Sequence, residues 1–101
     1  MAGLGLRVRL LEARPTGGGL YTAEIEVVDE ERGRSYRVRA ERLVREPASL
    51  EARVEAGSLL IHLRGRDGAP VATCCIHLSH LERGCMECRS LLLPAGGAAE
   101  A

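Results

Sequence analysis

All four cysteines and two of the three histidines fall in one run, CCIHLSHLERGCMECR, from Cys74 to Arg89. Cys85 and Cys88 form a C-x-x-C pair, a spacing that brings two sulfurs to one point and suits zinc, an iron–sulfur cluster or a reversible disulfide. Cys75 and His77 lie just upstream and complete the pattern C-x-H-x7-C-x-x-C. A structural zinc site needs four donors around a tetrahedron. The inventory therefore predicts a zinc knuckle with Cys75, His77, Cys85 and Cys88 as ligands. His80 replaces His77 if the preceding strand ends early, and His62 is a more distant imidazole within reach of the same face.

Two other chemistries use the same residues. In a thiol–disulfide device Cys85 would attack and Cys88 would resolve, which requires a helix N-terminus near Cys85 to favour its thiolate. In a cysteine hydrolase His77 or His80 would serve as base. No third orienting residue is evident for that role, because Glu82 and Glu87 have simpler uses as a capping and a solvated carboxylate. A third reading is free of metal: cysteines packed as small hydrophobes, exposed histidines, and a terminal helix lying on a sheet. The segment HLERGCMECR, with His80, Cys85 and Cys88, resembles a fragment of the zinc-binding anti-sigma motif H-x3-C-x-x-C. Four residues rather than three separate His80 from Cys85, and the upstream chain reads as sheet, so only the zinc chemistry of that motif is implied here and no transcriptional role.

The elements that must hold these residues read mostly as strands. Leu4, Leu6, Val8 and Leu10 alternate with charged neighbours, the period of a half-buried strand. RPTGGG at 14–19 interrupts it. Its glycines lack the spacing and the terminal Lys-Ser/Thr of a phosphate loop, so they read as a turn. Residues 20–28 and 35–43 alternate again on either side of the charged turn DEERGR and predict a hairpin. Pro47 ends this half. Strands are expected at 50–55 and 58–64, joined across Ala56-Gly57, with a short helix at 48–56 as the competing assignment because Leu, Glu, Ala and Arg also favour helix. GRDGAP turns the chain into a further strand at 71–78, which would place Cys74 on the buried face and Cys75 and His77 on the other.

Ser79 with Glu82 has capping-box spacing, and Leu81, Cys85, Cys88 and Leu92 recur at helical intervals. The expectation is a mainly β domain over 1–94, a small antiparallel sheet or partly open barrel of five to six strands with a short C-terminal helix, followed by a flexible tail at 95–101. With 101 residues and only 2% aromatics, the core must be aliphatic and modest, so a metal or a partner chain would add useful stability.

Fourteen acidic residues balance fourteen basic ones, all of them arginine. Neutral charge and scarce aromatics argue against nucleic acid as a partner. The charged faces at 22–26 and 37–41 read as solvated sheet. No apolar stretch predicts a membrane span or a secretory leader, so the expected compartment is the cytoplasm, where structural disulfides are uncommon. The function these features predict is a small non-catalytic, zinc-binding adaptor, regulatory or assembly protein. Its expected partner is another protein or, through an open sheet edge, a second copy in a homodimer.

Overall fold

The computed structural model describes residues 5–83 and 86–90. Within them the chain forms two antiparallel sheets. The first contains β1 (Leu6–Gly17), β2 (Leu20–Asp29) and β3 (Arg34–Leu43) in that order. The second contains β4 (Ser49–Glu55), β5 (Ser58–Arg64), β6 (Pro70–His77) and β7 (Glu87–Ser90), also in chain order. A 3-10 helix, Leu78–Arg83, sits between β6 and β7. The mainly β class is as expected, with seven described strands in place of five or six. The competing helix at 48–56 does not form, because Leu50 and Val54 turn inward at strand period against β5. The predicted tail at 95–101 lies outside the described residues.

Alternation explains the core. Ala23, Ile25 and Val27 from β2 and Val38, Ala40 and Leu43 from β3 meet Leu59, Ile61, Leu63, Val71, Cys74 and Ile76 from the other sheet. All are buried, and Leu81 of the 3-10 helix closes one end of the cluster. Two irregularities keep the apolar residues in phase. In β1 the register with β2 shifts between Leu10 and Glu12, leaving Leu11 as an extra, exposed residue. In β3, Arg42 adopts a left-handed backbone (φ 62°), and the shift there returns Leu43 to the interior. A bulge of this kind inserts one residue without inverting the faces beyond it.

The turns follow their residues. Gly18-Gly19 forms the two-residue connection of the first hairpin, so β1 runs on to Gly17, beyond the point where Pro15 was expected to end it. Proline is tolerated there because β1 is an outer strand, where a missing N–H breaks no interior ladder. Asp29 accepts hydrogen bonds from the backbone N–H groups of Glu31 and Arg32 and shapes the next turn. In the crossover between sheets, the Ala48 N–H donates to the Arg64 carbonyl, and Arg45 pairs with Asp67 at 3.1 Å.

Ala56 and Gly57 form the β4–β5 turn with φ of 49° and 79°. Two positive values suit Asn-Gly, whereas alanine in this region carries a steric cost of about 1–2 kcal/mol. Ala56→Asn is therefore expected to raise unfolding free energy by about 0.5–1 kcal/mol with an unchanged denaturant slope, as measured by urea titration.

Candidate functional site

The local sequence sorts the sulfur and imidazole groups onto different faces. β6 alternates as predicted over its C-terminal part: Cys74 and Ile76 are buried, while Cys75 and His77 are exposed. In the β5–β6 ladder Cys74 lies opposite Ile61 and Cys75 opposite Leu60. His62 falls opposite Thr73, and its Nδ1 lies 3.3 Å from the Thr73 hydroxyl. His62 is thus occupied within the sheet.

The C-terminal segment departs from the expected helix. Ser79 and Glu82 fall in a single 3-10 stretch, and the chain then returns as β7 alongside β6, with Cys88 opposite Cys74 and Glu87 opposite Cys75. Cys74 and Cys88 are joined by a disulfide. The Glu82 carboxylate faces Arg34 at 3.6 Å, which ties the 3-10 segment to the first sheet.

This bond corrects the zinc prediction and the zinc chemistry implied by the anti-sigma resemblance. Cys88, one of the four proposed ligands, shares its sulfur with Cys74 and has no thiolate to offer a metal. Cys75 is a free, exposed cysteine on the opposite face of β6 from Cys74. His77 stacks at a tilt on His80, with ring centroids 5.7 Å apart. Cys85 lies outside the described residues. No group of three or more His, Cys, Asp or Glu side chains able to hold a metal ion occurs among the described residues. The expectation that the cysteines act as ligands, not as a staple, fails because β7 pairs with β6 and brings two inward-facing sulfurs opposite one another.

For a hydrolase, a base must touch the nucleophile. Among the described residues the Cys75 sulfur has no hydrogen bond to an imidazole.

The site that composition did not disclose is a groove of about 610 Å³ lined by Glu24, Arg37, Arg39, Glu41, Arg83, Met86 and Cys88. Strand alternation places Arg37, Arg39 and Glu41 together on the outer face of β3, while the end of the 3-10 helix supplies Arg83 and the start of β7 supplies Cys88. Glu24 anchors its floor. Its carboxylate accepts hydrogen bonds from Arg39 Nε at 2.9 Å and Arg14 Nη2 at 3.2 Å, and its side chain is only 9% exposed. The same bond to Glu24, second to one with Glu12, raises the Arg14 pKa. The alternation of Arg37 and Arg39 was visible in the sequence, but their apposition to Arg83 depends on the packing of the two sheets.

No protein-family model, curated protein or solved structure matches the chain. Nor is any helix among the described residues long and apolar enough to cross a membrane.

Glu24 and Glu41 offer a direct comparison, since a buried carboxylate loses more than an exposed one when its charge-assisted bonds weaken. Glu24→Gln is expected to cost about 1–3 kcal/mol in unfolding free energy. Glu41→Gln, whose side chain is 60% exposed, should stay within about 0.5 kcal/mol by the same measurement.

Proposed function

We propose that the chain is a metal-free interaction domain, stapled by its own disulfide and serving to bind a protein partner or a second copy of itself. The observation that carries this reading is the Cys74–Cys88 bond. It fastens the last described strand to the sheet from the buried face of β6, opposite the face on which a metal was expected. A crosslink closing a loop of 14 residues in sequence separation removes unfolded-chain entropy equivalent to about 3 kcal/mol.

The burial of the bond favours a structural over a redox role. Cys74 is fully buried among aliphatic side chains, while Cys88 is partly exposed and lines the groove. An external thiolate would attack at Cys88 and expel Cys74 as a thiolate into an apolar core. The apolar surroundings of Cys74 oppose charge on the departing sulfur, which disfavours exchange at this bond. The arrangement supports a staple better than a fast-exchanging pair.

Elemental analysis with unfolding curves tests the reading. Metal should be far below one equivalent, and a chelator should leave the thermal midpoint unchanged. Cys88→Ser should lower stability by about 2–4 kcal/mol. One equivalent of zinc, with stability that falls on chelation, would contradict it.

A further inference from the structure

The groove between the sheets carries an unbalanced pair of guanidinium groups. Across the β2–β3 ladder Arg37 faces Glu26, but Glu26 is held by Arg9 at 2.8 Å. Glu24 is taken by Arg14 and Arg39, and Glu41 lies 3.7 Å from Arg39. Glu82, beside Arg83, is directed to Arg34. Every described carboxylate near the groove thus has another arginine partner, and among the described residues neither Arg37 nor Arg83 has an ion pair. Two planar guanidinium forks are left, each able to grip a carboxylate through two parallel hydrogen bonds.

The groove is bounded by the outer face of β3 on one side and by the end of the 3-10 helix and the start of β7 on the other. Among the described strands, β3 is an outer strand of the first sheet and β7 an outer strand of the second. They approach one another, yet no hydrogen-bonded ladder joins them. An outer strand offers backbone donors and acceptors to an extended chain, with pockets for alternate side chains supplying the selectivity. Met86, half-buried on the groove wall, adds a pliant apolar surface between the charges.

Resting on the reading of the chain as an interaction domain, we infer that this groove docks an extended acidic segment of a partner protein, with Arg37 and Arg83 receiving carboxylates. Charge complementarity selects the sign of the partner, and the two strand edges select an extended backbone. The volume also exceeds what a single inorganic anion would fill.

The test uses the full chain and a fluorescein-labelled ten-residue peptide alternating Glu and Val, with a Gln/Val peptide as its neutral counterpart. By fluorescence anisotropy the Glu peptide should bind, weaken as salt rises, and exceed the Gln peptide in affinity. The double reversal Arg37→Glu with Arg83→Glu should weaken it by at least about tenfold, with circular dichroism unchanged and only a small fall in thermal midpoint, because both side chains are exposed and only the reversal at 37 sets a like charge opposite Glu26. Arg66→Ala, at an exposed turn outside the groove lining, should leave binding intact. The inference is overturned if the Glu peptide fails to bind, if the Gln peptide binds equally, or if the double reversal has no effect. It is also overturned if inorganic pyrophosphate displaces the peptide at equal concentration, which would mark a small-anion site, or if the reversal instead dissolves a dimer of the chain. None of these outcomes alters metal content, so they are separable from a failure of the metal-free reading.

Discussion

The disulfide between Cys74 and Cys88 is the constraint on which the C-terminal third of the structure depends. β7 has four residues and pairs only with β6 among the described strands. A strand so short contributes few ladder bonds, and its apolar contribution to the core comes from the half-buried Cys88 and neighbouring Met86. The crosslink fixes its register, holds the 3-10 helix as the connecting segment, and so sets Arg83 and Met86 across from the charged face of β3. Without it the groove would lose one wall. The placement of β7 and of the groove wall it carries depends in this sense on one covalent bond.

Around that bond the molecule divides its charges with care. Glu24 is nearly buried, so its two arginine partners supply hydrogen bonds that desolvation would otherwise make costly to lack. The more exposed pairs, such as Arg7 with Glu30 and Arg53 with Glu55, add little stability but line the outer strands with charge. Charged outer strands resist indiscriminate pairing with other chains. At the groove, Arg37 and Arg83 have no ion pair among the described residues.

Much of the sheet was legible because one side of each strand is buried. The expected strands at 20–28, 35–43, 50–55 and 58–64 differ by at most one residue at each end from β2 to β5, and Ala56-Gly57 is the turn that joins the last two. For His62 the two loop lengths open to the β5–β6 hairpin put either Thr73 or Cys75 opposite, and the observed register selects Thr73. The C-terminal segment was misread for a physical reason. The four residues of β7, ECRS, have no apolar alternation to mark a strand, while Leu81, Cys85, Cys88 and Leu92 share a helical period. The expected helix shortened to one 3-10 stretch because pairing with β6 and a bond to Cys74 satisfy the returning chain. Cys74 was correctly assigned to the buried face, but its partner could not be named until β7 was seen to lie opposite. The zinc ligand set combined strand alternation, which placed Cys75 and His77 correctly on the outer face, with C-x-x-C spacing, which does not report that Cys88 returns opposite Cys74.

The central claim is that the sulfur of Cys88 belongs to Cys74. Trypsin cleavage after Arg66, Arg83 and Arg89 would release residues 67–83, holding Cys74 and Cys75, and residues 84–89, holding Cys85 and Cys88. Mass spectrometry of a non-reduced digest, prepared with free thiols blocked at low pH, should find these two peptides joined, with fragmentation locating the link at Cys74 and Cys88. An unlinked 84–89 peptide carrying an internal Cys85–Cys88 disulfide, or both peptides fully alkylated, would contradict the account.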